Sequence, residues 1–123
     1  MKKFLFAFFA LMILFATSVS AANWVFVANV DGVSTYYDAD TIETTKAGKR
    51  LITIKQSPSS PTEYVVVRTA FKCSFPRSFM PVHFTTYSLS TGEETDSWYD
   101  TKFEYRLVVI GTINDFIGDR ACN

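Results

Sequence analysis

The chain has 123 residues, 48% of them hydrophobic and 20% charged, and its twelve basic residues match its twelve acidic residues in number. A chain of this length predicts one domain with one hydrophobic core. Nucleic acids and anionic membranes attract proteins with a strong basic field, so this balance of charges argues against both as partners.

The first 21 residues have the pattern of a cleaved secretory signal peptide. Two lysines precede an apolar run over residues 4–16, and Val19-Ser20-Ala21 is a small-x-small site that predicts cleavage before Ala22. The run is too short to span a bilayer, and no later stretch approaches the roughly 20 apolar residues of a spanning helix. We therefore expect a mature domain over 22–123 that has no membrane insertion, with ten basic and twelve acidic residues and a formal charge of −2.

Short strands are predicted in the first part of the mature chain. Residues 24–29 place Trp24, Phe26 and Ala28 on one side of a strand and Val25, Val27 and Asn29 on the other. Asp31-Gly32 is a strong turn signal, and residues 33–38 complete a predicted hairpin. Residues 41–48 are polar and end in a turn, and the β-branched segment 50–56 predicts a third strand.

The longest predicted strand covers residues 64–75, whose odd positions are mostly apolar and whose even positions are mostly polar. The odd positions therefore predict the core face of the sheet. Cys73 lies on that face. We therefore expect its partner Cys122, together with the C-terminal segment, to lie over the core side of the sheet.

The remaining pattern predicts a second hairpin, one more strand and a helix. Residues 76–81 contain two prolines and are expected to interrupt the sheet. The segments 82–90 and 94–99 then form the hairpin, and alternation resumes over 103–109.

Apolar residues return at helical spacing after Gly111. Thr112 followed by Asp115 resembles a capping box at the start of this helix, and Gly118 lies inside it. The predicted fold is α+β and mainly β: a single antiparallel sheet of about six strands with a short C-terminal helix packed on one face.

The mature chain contains two cysteines, Cys73 and Cys122. An even pair in an exported chain predicts a structural disulfide, because metal sites need closer ligands and redox pairs are usually Cys-x-x-Cys. This bond would tie the C-terminus to the sheet.

Catalytic chemistry is not indicated. His83 is the only histidine, no spacing joins it to a nucleophile or an acid, and we expect neither an enzyme nor a metal site. His83 is most simply a half-buried strand residue. The other possibility is ligation of a haem iron with Met80 or a nearby tyrosine, so haem is the one cofactor considered.

Aromatic side chains give a clearer indication of function. The mature chain has more tyrosine and tryptophan rings than a small core requires, and such rings are enriched at protein interfaces. Strands also favour aromatic residues. The candidate interface comprises Tyr87, Trp98 and Tyr99. Seven rings form the wider set: Tyr36, Tyr37, Tyr64, Tyr87, Trp98, Tyr99 and Tyr105.

In this order of motifs, the chain resembles the bacterial surface-adhesin protein E family. The motifs are Trp24, Asp31-Gly32, the signature Tyr36-Tyr37-Asp38-Ala39-Asp40-Thr41-Ile42, Lys49-Arg50, Cys73, Tyr87 with Gly92, Gly111-Thr112 and Cys122. The resemblance implies an antiparallel sheet with a disulfide-tied C-terminal helix. It also implies binding of host matrix proteins, with haem binding and a homodimer as further expectations.

Two positions depart from the family pattern. No cysteine follows the predicted cleavage site, so we expect a protein that is not lipid-anchored and that is periplasmic or secreted in a Gram-negative bacterium. Ile110 stands where the family often has proline. The expected function is a non-enzymatic binding module that contacts a protein partner through an aromatic sheet face or edge. The alternative is a periplasmic carrier of a small apolar or haem-like ligand.

Overall fold

The computed structural model describes residues 22–102 and 104–123, so the predicted signal peptide and Phe103 lie outside the described residues. Eight strands precede one helix: β1 (Trp24–Val30), β2 (Val33–Asp38), β3 (Glu43–Thr44), β4 (Arg50–Ser57), β5 (Glu63–Lys72), β6 (Ser78–Ser88), β7 (Glu94–Tyr99), β8 (Arg106–Leu107) and α1 (Ile113–Cys122).

All strand pairs are antiparallel and belong to one sheet. Six strands form the continuous path β1-β2-β4-β5-β6-β7, while β3 pairs with β4 and β8 pairs with β6. The predicted fold class is confirmed, but the count rises from about six strands to eight. The strand β3 has only two residues, too few to create an alternating pattern in the sequence. Within residues 104–109, the strand predicted over residues 103–109 is present only as the two residues of β8.

The first predicted hairpin is present with its predicted turn. Asp31 and Gly32 have φ angles of 52° and 83°. Two consecutive residues with positive φ are what a two-residue turn needs to match the twist of its flanking strands, and glycine adopts this conformation without steric cost.

The predicted interruption at residues 76–81 is wrong from Ser78 onward, because β6 begins there and runs through Pro81. The register with β5 explains how the strand accepts a proline. Arg68 pairs with His83 and Thr69 with Pro81, which leaves Val82 as an extra residue in an irregularity of the ladder. Proline lacks a backbone donor, and bulges are among the few places in a sheet where it is tolerated.

The helix begins with the predicted cap, although the reciprocal bond is displaced by one residue. The backbone N–H of Asp115 donates to Thr112 Oγ1 at 3.3 Å, and the N–H of Gly111, rather than that of Thr112, donates to Asp115 Oδ2 at 3.0 Å. Both bonds satisfy donors near the helix start that would otherwise lack partners.

The core lies between α1 and the sheet face formed by the odd residues of β5, as predicted. Phe71 and Ile52 are fully buried there. The buried apolar cluster comprises Tyr37, Ile52, Ile54, Phe71, Ile117 and Ala121. We call this side of the sheet the helix face and the opposite side the open face.

Gly118 allows the helix to approach the sheet closely. A Cβ atom at this position would lie 3.0 Å from Arg77 Cδ and 3.2 Å from Phe71 Cε1. Arg77 passes over this glycine, and its Nη1 donates to Asp119 Oδ1 at 2.5 Å. Gly118 lowers the intrinsic helix propensity, but it leaves room for Arg77 and Phe71 that a larger side chain would narrow.

The disulfide between Cys73 and Cys122 is confirmed, with a Cα–Cα distance of 5.6 Å. It joins residues 49 positions apart and connects the end of β5 to the last residue of α1. By the chain-entropy argument, closing such a loop stabilises the fold by about 4 kcal/mol.

Candidate functional site

A row of aromatic rings crosses the open face of the sheet. Antiparallel partners project to the same side, and the register pairs Phe26 with Tyr36, Tyr36 with Lys55, and Tyr64 with Tyr87. The rings of Phe26 and Tyr36 meet edge to face at 5.6 Å. The row thus runs from β1 to β6.

Lys55 is the centre of this row. Its Nζ lies 5.4 Å from the ring centroid of Trp24, 5.2 Å from that of Tyr36 and 5.0 Å from that of Tyr64. Each distance is short enough for a cation–π interaction. Three strands supply the rings and a fourth supplies the lysine, so the sheet holds the ammonium group in place above the rings.

Tyr64 and Tyr87 form a parallel stack next to Lys55, with ring centroids 5.1 Å apart and an interplanar angle of 16°. Burial raises the pKa of the Tyr87 hydroxyl above its ordinary value of 10.0, and the negative charges of Glu94 and of ionised Tyr64 act in the same direction. The neutral phenol is therefore the form that the folded protein favours at this position.

Arg68 fixes the middle of the open face. Its Nη2 lies 3.0 Å from Glu43 Oε2, and its Nη1 donates to Thr53 Oγ1 at 2.8 Å and to the carbonyl oxygen of Thr41 at 3.1 Å. These contacts bind the short strand β3 and the segment before it to the sheet. The polar segment 41–48, predicted only as a connection with a turn, thus contributes to the surface.

A pair of lysines, Lys49 and Lys72, lies farther along the same face. Lys72 pairs with Ser78 at the end of β5, and its Nζ lies 4.1 Å from the ring centroid of Tyr105. Lys49 Nζ lies 4.8 Å from the same ring. This site combines two cations with one aromatic ring, whereas the site at Lys55 combines one cation with three rings.

The three predicted interface residues lie on different sides of the sheet. Tyr87 and Tyr99 lie on the open face, whereas Trp98 lies on the helix face, where its ring stacks on Phe84 at 5.4 Å. Trp98 and Tyr99 are consecutive, and consecutive strand residues point to opposite faces. The two rings are 44% and 67% exposed. They cannot both belong to one sheet-face surface, although both lie in the edge strand β7.

His83 lies at the margin of the open face beside Tyr99. The ring centroids are 4.4 Å apart, and His83 Nε2 is 2.7 Å from Ser97 Oγ in a hydrogen bond. The predicted partner Met80 pairs with Ala70 three positions earlier on β6. The structure thus places a tyrosine ring, rather than the methionine, against the candidate haem ligand.

An apolar cavity of about 370 Å³ lies beside the disulfide. Its apolar lining includes Phe75, Val108 and Ile110, and Phe75 and Ile110 are 94% and 84% exposed. Sequence reasoning placed Phe75 on the core face of a long strand, but β5 ends at Lys72 and Phe75 projects from the following loop. Exposed apolar residues at such a density are typical of a contact surface.

Within residues 22–102 and 104–123, no group of three or more His, Cys, Asp or Glu side chains is arranged to hold a metal ion. No helix in that same part of the chain is both long and apolar enough to cross a bilayer. Comparisons with models of protein families, with curated proteins and with solved structures find no match to this chain. The resemblance to the adhesin family thus rests on the sequence motifs alone.

Several features of the open face were not predicted from the sequence. Lys55 and its three rings are distant in the sequence, and only the strand register brings them together. The sequence contains only a weak indication of the row: Tyr36, Tyr64 and Tyr87 all occupy strand positions on the side away from the core. Tyr37, which belonged to the wider set of rings, is instead a core residue with 8% exposure.

Proposed function

We propose that this protein is an exported, non-enzymatic binding module whose open face engages an acidic surface on a partner protein. The observation that carries the proposal is Lys55, held above Trp24, Tyr36 and Tyr64. Tyrosine and tryptophan supply large contact areas with few torsions to freeze, and a fixed cation among them supplies direction.

The charge distribution supports an acidic partner. Among the described residues, the ion pairs join Arg68 to Glu43 and Arg77 to Asp119, so Lys55 has no carboxylate partner there. A cation–π contact leaves the positive charge in place, and this charge can attract an acidic group during encounter and fix its position in the complex. The open face can therefore be cationic around Lys55, while Glu94 lies beside Tyr87 farther along the row and the mature chain carries a formal charge of −2.

The size of the face also supports a macromolecule. The row crosses five strands, which corresponds to roughly 20 Å, and β5 gives it a length of roughly 30 Å. Its surface is one broad face of a single sheet. Flat surfaces of this size suit protein partners, whereas small ligands are usually bound in concave sites.

The disulfide is consistent with export, because such bonds persist in oxidising compartments. Periplasm and extracellular medium are both compatible with the proposal. By the family resemblance, a host matrix protein is one candidate partner, and a second copy of the chain is another. The proposal requires an acidic patch on whichever of these two partners binds the open face.

A carrier of a small apolar ligand is the second candidate function. The cavity of about 370 Å³ beside the disulfide favours it, since its volume falls in the range of small-molecule sites. His83 does not line that cavity, so the haem-like version of the carrier would need a different site.

Site-specific photo-cross-linking in the native compartment tests the proposed function. A photoreactive benzophenone amino acid replaces Phe26 on the open face or Trp98 on the helix face, in separate strains. We expect discrete protein adducts from position 26 and fewer from position 98. The adducts from position 26 should disappear with Lys55→Glu, which reverses the charge at the centre of the rings.

Lys102→Glu is the matched control, because it makes the same charge change at an exposed loop residue. The adducts should persist in that variant. Equal adducts from both positions, or adducts that survive Lys55→Glu, would contradict the proposal. Cell fractionation of the same strains identifies whether the adducts form in the periplasm, at the outer membrane or in the medium.

A further inference from the structure

We propose that Lys49 and Lys72 form a binding site for a phosphate group at the end of the open face. The two ammonium nitrogens contact one ring, that of Tyr105, at 4.8 Å and 4.1 Å from its centroid. They are therefore no farther apart than the sum of these distances. The site lies apart from Lys55 and does not depend on the proposed function.

The two lysines lack acidic partners in the described part of the chain, whose ion pairs use Arg68 and Arg77. Two like charges around one ring repel each other, and the ring cannot neutralise them. An anion that bridges the ammonium groups removes this repulsion. A phosphate monoester carries up to two negative charges at neutral pH and can match both lysines, whereas a carboxylate matches one.

A cavity of about 270 Å³ accompanies the lysine pair. Lys49 and Lys72 line it together with Ser74, whose hydroxyl group can donate a further hydrogen bond. Ala47, Gly48 and Cys73 complete the lining. The cavity thus provides space and a neutral donor next to the two lysines.

The backbone on both sides of the cavity is held firmly. Thr45 fixes the turn that carries Lys49: its N–H donates to the Lys49 carbonyl at 2.8 Å, its carbonyl accepts from the Gly48 N–H at 3.0 Å, and its Oγ1 accepts from the Lys49 N–H at 3.1 Å. Lys72 is the last residue of β5 and precedes the disulfide-bonded Cys73. Such a frame limits the ordering entropy that binding must overcome.

The phosphate could belong to a soluble molecule or to a lipid headgroup, since both present the same oxygens. A local pair of lysines is sufficient for either, and no long-range basic field is needed. The experiment therefore has one arm for each source.

In the first arm, the oxidised mature protein is titrated with inorganic phosphate, with chloride at equal ionic strength as the reference. Amide chemical shifts of residues 47–49 and 72–74 should change and saturate. Lys49→Gln or Lys72→Gln should weaken binding about tenfold or more, because each removes a charge-assisted hydrogen bond. Lys72→Arg keeps the charge and should retain most of the affinity.

Lys46→Gln is the matched control, since Lys46 is exposed in the same turn, whereas Lys49 and Lys72 are the lysines placed over the Tyr105 ring. It should leave phosphate binding within about twofold of the original protein. An equal loss in Lys46→Gln and Lys72→Gln would show a nonspecific charge effect and overturn the proposal.

In the second arm, the protein is mixed with phosphatidylcholine vesicles that contain or lack phosphatidic acid, which exposes a phosphate monoester. Retention on phosphatidic acid vesicles that requires Lys49 and Lys72 assigns the site to a headgroup. Saturable binding of free phosphate without vesicle retention assigns it to a soluble ligand. The absence of lysine-dependent binding in both arms would refute the site.

Discussion

Replacement of Gly118 by alanine tests the packing of α1 on the sheet, because two opposite effects meet at this position. Alanine is favoured over glycine inside a helix by about 1 kcal/mol. The added methyl group, however, would lie 3.0 Å from Arg77 Cδ and 3.2 Å and 3.3 Å from carbons of the Phe71 ring. Overpacking of this kind costs about 1–3 kcal/mol.

The structure indicates that the steric cost is larger. Phe71 is fully buried and cannot move without disturbing the core, and a shift of Arg77 would disturb its ion pair with Asp119. We therefore expect Gly118→Ala to lower the free energy of unfolding by about 1 kcal/mol, which corresponds to a decrease in Tm of roughly 5 °C for a domain of this size.

Urea unfolding of the oxidised mature protein, monitored by circular dichroism, measures this effect. Asn114→Ala is a control in the same helix. In the Arg77→Ala background, Gly118→Ala should cost less than it does in the original protein, because the shortened side chain frees space above residue 118. A Gly118→Ala variant that is as stable as the original protein, or more stable, would refute the packing argument.

Three further predictions follow from the same structure. Replacing Cys73 and Cys122 together by alanine should lower the free energy of unfolding, measured by urea unfolding, by about 4 kcal/mol. Intact-mass analysis after alkylation without reductant should show no adduct on the native protein. Two adducts would instead show that both thiols are free. Because the pKa of Tyr87 is raised in the folded state, its stabilising contribution is present below the ordinary pKa of 10.0 and is lost as pH rises through the folded pKa. The free energy of unfolding should thus fall less steeply above pH 10 in Tyr87→Phe than in the original protein. Equal slopes of this free energy against pH in the two proteins would contradict the prediction. Hemin should cause no visible absorbance change that depends on His83, since the proposed partner is a protein; a change lost in His83→Ala would instead support the haem carrier.

The local elements follow closely from the sequence because each rests on short-range chemistry. The Asp31-Gly32 turn needs two residues that tolerate positive φ, and the helix start needs Thr112 with Asp115 three positions later. The odd face of β5 identified the core side, and two cysteines identified the disulfide. None of these inferences required knowledge of which strands are neighbours.

Strand pairing brings together the residues that make the open face a candidate site. Lys55 meets its three rings only because β4 pairs with β2 and β5, and β2 pairs in turn with β1. Lys49 and Lys72 share Tyr105 only because the chain returns to them after β7. Pro81 enters a strand because a bulge removes the need for its missing donor.

The sequence by itself thus determined most of the elements, the core side and the covalent link, since turn, cap and polarity signals act over a few residues; β3 and the start of β6 were the exceptions. The tertiary structure alone decided which charges and rings share a surface. Such neighbours depend on register, and a shift of one residue would transfer each side chain to the other face.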